Sequence, residues 1–198
     1  MKRRTGHQGI AACISGVLGC PTDSAAHLVT TGMGPVYDGI GHLILTPEDL
    51  VPALALAFYA GLRGAAAGRK AMFLLPLAWF IGGVAGFWAD GLTSLTIPAV
   101  SFLVFGGLVA ADLCLPDEAV TVLAILFGLV HGFLNGVALK DGVGVLGLIG
   151  IVTLLFVLLT LASAFVVSLK IPWTRIAVRV AGSWIAATGI LMFGWAMR

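Results

Sequence analysis

Charged residues are scarce in this 198-residue chain, which has 10% Asp, Glu, Lys and Arg against 60% hydrophobic residues. A soluble domain carries about 25% charged residues, which cover its surface with polar groups. The composition therefore excludes a soluble globule, and we expect the lipid bilayer to cover the surface instead. The formal net charge is only +2. Because no basic run with interleaved aromatic residues occurs either, we predict no nucleic-acid partner.

Cysteine pairs and catalytic motifs are also missing. The three cysteines, Cys13, Cys20 and Cys114, form no CxxC pair, and two of them fall in the predicted leader described below. The mature chain would then have one thiol and no disulfide framework. The sequence shows no HExxH motif, phosphate-binding loop or nucleophile–base pair. We therefore predict that the protein is not an enzyme and holds no tightly bound cofactor.

The N-terminus has the pattern of a cleavable signal peptide over residues 1–26. Basic residues at positions 2–4 precede an apolar stretch, residues 9–19, that is too short to span a bilayer but suits a signal peptide. Small residues at positions 24–26 favour cleavage after Ala26. The alternatives are a lipoprotein site at Cys20 and a retained leader.

Cleavage after Ala26 would leave His27 as the first mature residue. A free amine beside an imidazole can chelate a metal ion, so His27 is a candidate ligand. A signal scar followed by a chance histidine explains the same residues equally simply.

The rest of the chain predicts an all-α membrane bundle of about six transmembrane helices. Residues 27–47 are broken by glycine and proline and predict a periplasmic segment with a short interfacial helix over residues 37–45. Residues 48–198 then supply six apolar stretches of 15–27 residues, and a bilayer span requires about 20. The predicted spans are Glu48–Leu62, Ala71–Ala89, Leu95–Leu113, Ala119–Leu139, Val143–Leu169 and Thr174–Met197.

Lys and Arg are distributed unequally between the two sets of loops. Residues 63–70 and 170–179 carry six basic residues, whereas the opposite side carries Lys140 and Arg198 alone. Because Lys and Arg favour cytoplasmic loops, we predict a multi-pass protein of a bacterial inner membrane whose mature N-terminus is periplasmic.

Glycines recur at four-residue spacing on two of the predicted spans. Gly128, Gly132 and Gly136 follow one face of the fourth span, and Gly82 and Gly86 do the same on the second. Small residues at this spacing let helix backbones approach closely in lipid. We predict that the fourth span is central to the bundle; the alternative is a glycine hinge.

His131 and Asn135 are the polar residues in the fourth span that most favour a function. An ionisable residue inside a span is costly unless it is paired or hydrated, and such residues are usually functional. Because the two are four residues apart, they share a helix face, next to the glycine face. A lone buried histidine can also be structural.

A second set of polar residues surrounds the start of the first span. His42, Glu48 and Asp49 lie there, with Asp38 one helical turn before His42. Glu48 and Asp49 after a proline also suit the first turn of a helix and its dipole, which does not exclude a ligand role. In the predicted topology these residues form a periplasmic mouth, with His131 about 12 Å deeper at 1.5 Å per helical residue.

Imidazole and carboxylate ligands together suit borderline divalent ions such as nickel, cobalt or zinc. The candidate metal-binding residues are His27, Asp38, His42, Glu48, Asp49, His131 and Asn135. Ligation that is weak and exchangeable is what a permeant ion requires. The sequence therefore predicts a metal-ion permease, and the alternative is a non-transporting membrane scaffold or assembly factor in which polar residues only hold helices together.

Two motifs resemble the HupE/UreJ family of bacterial membrane proteins. Its first-span pattern, G-[FI]-x-H-[IL]-L-x-G-x-D-H-L-L, matches residues 39–51, with the first histidine at His42 and the Asp-His pair at Glu48 and Asp49. Its later F-G-[FL]-x-H-G segment matches residues 127–132 and places a histidine at His131. The carboxylate of Asp49, where the family motif has an imidazole, makes the site harder and richer in oxygen.

The resemblance implies a protein with about six spans that accompanies hydrogenase or urease clusters and acts as a nickel or cobalt permease. It also implies metalloenzyme maturation proteins as partners, or a second copy of the chain as an oligomeric partner.

Overall fold

A computed structural model of the chain describes residues 30–90 and 96–197. The predicted signal peptide and His27 lie outside these residues. The described residues form seven α-helices connected by short loops, and the predicted all-α fold is confirmed. The helices are α1 (Pro35–Leu45), α2 (Pro47–Arg63), α3 (Ala65–Gly86), α4 (Thr96–Ala111), α5 (Asp117–Leu139), α6 (Gly144–Ser168) and α7 (Pro172–Ala196).

The chain bends sharply between α1 and α2. The two helices are separated by Thr46 alone, and their axes differ by 78°. Pro47 begins α2, since proline has no N–H to continue the hydrogen bonds of α1. The Thr46 hydroxyl donates to the His42 carbonyl oxygen at 2.7 Å and so satisfies one of the last acceptors of α1. The helix predicted over residues 37–45 is thus present as α1, and its place at the membrane interface stays a prediction.

The turn between α2 and α3 is shorter than the sequence predicted. Residues 63–70 were expected to form a loop, but α3 begins at Ala65 and includes Arg69 and Lys70. The turn is made by Gly64 alone, whose φ of 114° is accessible to glycine at little cost. Arg and Lys are good helix formers, so their charge at the end of a span does not stop the helix.

Helices α3 and α5 pack backbone against backbone along the predicted glycine faces. A Cβ atom on Gly132 would overlap the Trp79 carbonyl, and one on Gly136 would overlap the Gly83 carbonyl. From the α3 side, a Cβ on Gly82 would overlap the Leu129 carbonyl. The predicted role of these glycines in close helix packing is confirmed, and it places α5 against α3 in the bundle.

Three of the described helices, α5, α6 and α7, are long and apolar enough to span a bilayer by themselves. The bent pair α1 and α2 together meets the same criterion as one broken span. Helix α4 is apolar but has only 16 residues. The membrane-bundle architecture is consistent with the prediction, and the number of six spans stays a prediction.

Candidate functional site

Side chains from three helices meet in one hydrogen-bonded cluster, which we call the polar cluster: Asp49 of α2, Ser101 of α4, and His131 and Asn135 of α5. His131 Nδ1 lies 2.6 Å from Asp49 Oδ1, and Asn135 Nδ2 donates to Asp49 Oδ2 at 2.6 Å. On the other side of the imidazole, Ser101 Oγ lies 2.8 Å from His131 Nε2. The predicted shared face of His131 and Asn135 is confirmed, since both side chains bond the same carboxylate.

The hydrogen bonds assign the tautomer of His131. An ionised carboxylate only accepts hydrogen bonds, so Nδ1 carries the proton that is shared with Asp49. Nε2 is then the acceptor and the Ser101 hydroxyl is the donor. The two hydrogen bonds hold the ring in one orientation. The cluster therefore presents an oriented imidazole nitrogen, Nε2, to Ser101.

All four side chains of the polar cluster are buried. Their exposed fractions are 1% for His131, 3% for Asn135, 5% for Asp49 and 8% for Ser101. Apolar rings surround the imidazole, with ring centroids of Phe127 and Trp79 at 4.3 Å and 5.8 Å from it. Electrostatic interactions are strong in such an environment because little water screens them.

One atom of the polar cluster lacks a hydrogen-bond partner within the described residues. Asn135 Nδ2 is shared between Asp49 Oδ2 and the His131 carbonyl oxygen, at 2.6 Å and 3.0 Å. Asn135 Oδ1, which is also buried, has none. A buried acceptor without a donor is unfavourable. A water molecule, a hydrogen-bond donor or a cation would each satisfy such an acceptor. Asn135 Oδ1 is therefore a candidate ligand atom.

Two more candidate residues lie beside the polar cluster. His42, on α1, is half-buried and interacts electrostatically with both Asp49 and Glu48. Glu48 is exposed and lines a cavity of about 360 Å³ together with Phe102 and Trp184. Glu48 is therefore accessible from the surface, while its neighbour Asp49 points into the bundle.

Asp38 has a different partner from the other candidates. Its carboxylate accepts hydrogen bonds from the Thr31 amide at 2.5 Å and the Thr31 hydroxyl at 2.6 Å. These bonds tie the segment before α1 to the first turn of that helix. Across residues 30–90 and 96–197, no group of three or more His, Cys, Asp or Glu side chains could hold a metal ion. A metal bound at the polar cluster would thus also need amide or hydroxyl ligands.

The structure changes the predicted depth of Asp49. The sequence placed Asp49 at a periplasmic mouth and His131 about 12 Å below it, but the two are in direct contact. His131 is eight residues from the C-terminal end of α5, so Asp49 and the N-terminus of α2 lie about 12 Å from that end. The mouth and the deeper histidine are therefore one site.

Sequence reasoning missed Ser101. A serine in an apolar helix usually bonds a carbonyl of its own helix, as Ser163 does with Leu159 at 2.7 Å. Ser101, on α4, instead bonds His131 on α5. The only sequence signal was its place near the middle of an apolar helix that has few other polar residues.

The match to known families covers most of the chain. The family model described as HupE / UreJ protein matches residues 16–192. The chain belongs to the HupE/UreJ family. No curated protein and no solved structure matches the chain. This HupE/UreJ protein therefore belongs to a group linked to nickel and cobalt transport or to accessory roles, and its polar cluster unites residues from both motifs, Asp49 from the first and His131 from the second.

Proposed function

We propose that this HupE/UreJ protein is a permease of the bacterial inner membrane for a divalent transition-metal ion such as nickel, cobalt or zinc. The ion is captured by His42 and Glu48 on the periplasmic side and passes through the site formed by Asp49, His131 and Asn135. The direct contact between Asp49 and His131 inside an apolar bundle is the observation that carries the proposal.

The location of these residues supports a function beyond structure. Ionisable residues within membrane helices cost several kcal/mol and commonly mark ion pathways. The bonds of Asp49 join α2 to α5, and a pair of apolar side chains at the same positions would join these helices without the cost of burying a carboxylate. Asp49 and His131 are therefore better explained by a charged substrate than by helix association.

The donor atoms also suit the substrate. Asp49 supplies carboxylate oxygens, His131 supplies an imidazole nitrogen, and Asn135 Oδ1 is a buried acceptor that needs a donor or a cation. Nitrogen and oxygen ligands in this mixture suit nickel, cobalt and zinc. Because both nitrogens of His131 already have protein partners, an ion must compete for them. That competition favours weak, exchangeable binding, as permeation requires.

Metal accumulation in cells tests the proposal. Cells that express the wild type should accumulate more nickel, cobalt or zinc than cells with an empty vector, and His131→Ala should abolish the excess. Ser163→Ala is the matched control, since Ser163 is also a buried polar residue but bonds only its own helix. Equal accumulation of all three metals by wild type and His131→Ala would refute the permease.

The alternative is an accessory or assembly role without transport, and purified protein separates the two. For a permease, added metal raises the melting temperature of the wild type in detergent and leaves that of His131→Ala unchanged. For a scaffold, added metal changes the melting temperature of neither protein.

A further inference from the structure

Ser101, His131 and Asp49 are hydrogen bonded in the order that serine hydrolases use. Ser101 Oγ lies 2.8 Å from His131 Nε2, and His131 Nδ1 lies 2.6 Å from Asp49 Oδ1. In serine hydrolases of unrelated folds, the carboxylate holds Nδ1–H so that Nε2 can take the proton of the serine hydroxyl. The polar cluster has the same atoms in the same roles.

The remaining contacts fix this arrangement. Asn135 Nδ2 donates to the second oxygen of Asp49 at 2.6 Å, which orients the carboxylate toward His131. The Phe127 ring packs at 4.3 Å from the imidazole centroid. A base that is held in one tautomer and one orientation is the condition for efficient proton transfer from a nucleophile.

The Ser101 edge of the imidazole borders an apolar groove between α4 and α5. The groove has a volume of about 310 Å³, and both Ser101 and His131 line it. That volume is within the range of small-molecule sites, which begins near 300 Å³. Three other lining residues, Val104, Leu126 and Val130, have exposed fractions of 39%, 54% and 41%. They are the residues through which the groove opens to the surroundings of the bundle.

The walls of the groove determine what it can accept. Among the described residues that line the groove, Thr96 is the only polar one besides Ser101 and His131. A hydrated cation would lose its water shell there without replacement ligands, whereas each buried CH₂ of an acyl chain gains about 0.8 kcal/mol. In a membrane protein such a groove is open to lipid. The occupant that fits is an acyl chain whose carbonyl carbon reaches Ser101.

We propose that Ser101 is the nucleophile, with His131 as base and Asp49 as orienting carboxylate, of a site that hydrolyses long-chain acyl esters supplied from the bilayer. This activity goes beyond metal transport and does not depend on it.

The reaction consumes one water molecule for each ester. Ser101 Oγ forms a bond to the carbonyl carbon while its proton moves to His131 Nε2, and the tetrahedral intermediate then loses the alcohol, which takes that proton. Water attacks the acyl-serine, gives a proton to Nε2 and forms the second tetrahedral intermediate. Its collapse releases the fatty acid, and the proton returns to Ser101 Oγ. No oxidant or reductant is needed.

A fluorophosphonate with a long alkyl chain tests the nucleophile directly. It should form a covalent adduct with the purified wild type in detergent, and peptide mass spectrometry should locate the adduct on Ser101. Ser101→Ala should give no adduct. Ser163→Ala should be labelled like the wild type, because Ser163 is equally buried but has its hydroxyl bonded to a helix carbonyl.

Ester hydrolysis tests the substrate class. The wild type should cleave a long-chain p-nitrophenyl ester faster than the acetate, and Ser101→Ala should lower that rate by roughly 10³-fold or more, as loss of a nucleophile does in hydrolases. Leu126→Trp, which fills the groove, should raise KM for the long ester more than for the acetate.

Mapping the adduct on the wild type requires no variant, so misfolding of Ser101→Ala cannot hide the result. A folded wild type that remains unlabelled, or that is labelled at another serine, would overturn the hydrolase. If the wild type were unlabelled at Ser101 but His131→Ala abolished metal accumulation, the hydrolase would be refuted and the permease supported. Labelling at Ser101 together with unchanged metal accumulation in His131→Ala would support the hydrolase and refute the permease.

Discussion

Asp49 and His131 are hydrogen bonded to each other. Among the described residues, no other charged group lies within hydrogen-bond distance of either side chain. Each of these polar groups would be expensive to bury unpaired, and removing one partner of a buried pair typically costs about 3–5 kcal/mol. The pair is therefore strongly coupled, whatever substrate the protein serves.

This coupling gives a prediction for single and double variants. Asp49→Ala and His131→Ala should each lower the free energy of unfolding in detergent by about 3–5 kcal/mol. The double variant should lose less than the sum, because it leaves neither partner buried without the other. Losses that add would show that the two side chains do not interact.

Asp90 and Lys140 form a second pair, outside the membrane helices. Lys140 donates to the Asp90 carboxylate and, at 3.0 Å, to the Ala89 carbonyl oxygen. The hydrogen bond and the charge of Lys140 lower the pKa of Asp90, and the hydrogen bond that Lys140 donates to Asp90 raises the pKa of Lys140. The small stabilisation from Asp90 is present at neutral pH and is lost as the pH falls through its lowered pKa; that from Lys140 is lost as the pH rises through its raised pKa.

The prediction for this pair concerns titration. In the wild type, NMR should give Asp90 a pKa below its ordinary value of 3.8, and Lys140→Ala should return it toward that value. High salt should have a similar but smaller effect, since the Asp90 carboxylate is exposed and salt screens its interaction with Lys140. An Asp90 pKa that is the same in both proteins would show that the contact does not persist in solution.

The sequence predicted part of the polar cluster and missed the rest for a physical reason. Helical spacing placed His131 and Asn135 on one face, and that is confirmed. The partners of His131 could not be predicted, because Asp49 and Ser101 are on other helices and reach it through tertiary packing. A serine in an apolar helix gives no sign of whether its hydroxyl bonds its own helix or a neighbour.

At the level of helices, the glycine contact between α3 and α5 leaves no room for a side chain between the two backbones. A side chain on Gly132 would have to displace the Trp79 backbone, which cannot move without shifting α3. Because Trp79 also packs on His131, this contact positions the apolar wall of the polar cluster.

A pair of glycine variants tests that contact. Gly132→Ala should destabilise the bundle by about 1–3 kcal/mol through overpacking. Gly107→Ala on α4 is the control, because a Cβ there would meet nothing within 4 Å and alanine is the better helix former. Gly107→Ala should be neutral or slightly stabilising. Equal effects of the two substitutions on the melting temperature would contradict the close packing.

The bend between α1 and α2 could be predicted only in part. Pro47 indicates where α1 must stop, and the sequence placed a helix before it. The direction of the bend depends on where α1 packs, and α1 packs on α6 at Gly39 and Gly147. Those glycines do not repeat at four-residue spacing along one helix, so no local pattern revealed the contact that brings Asp49 to His131.

Across the whole molecule, ion pairs divide the loops into the two ends that the charge bias predicted. At one end, Asp112 pairs with Arg63 and lies 3.9 Å from Arg175, which joins the ends of α2 and α4 to the start of α7. At the other, Lys140 pairs with Asp90. The grouping of residues 63–70 with 170–179 is therefore confirmed, while the side of the membrane on which they lie stays a prediction.

Cysteine labelling determines that orientation. Cys114, which is exposed, belongs to the predicted cytoplasmic end. In a variant with Cys13 and Cys20 changed to serine, an impermeant maleimide should not label Cys114 in intact spheroplasts but should label it after lysis. Asp90→Cys in a Cys114→Ser background should be labelled in both. The reverse pattern would invert the topology.

The central claim is that the chain itself conducts a metal ion through the site of Asp49, His131 and Asn135, and flux into proteoliposomes tests it most directly. Liposomes with purified wild type and an internal metal-sensitive dye should take up nickel, cobalt or zinc faster than protein-free liposomes. Asp49→Asn, which keeps the size of the side chain but removes its charge, should slow that uptake by roughly 10–100-fold. Wild-type liposomes no faster than empty ones, or Asp49→Asn as fast as the wild type, would contradict the claim.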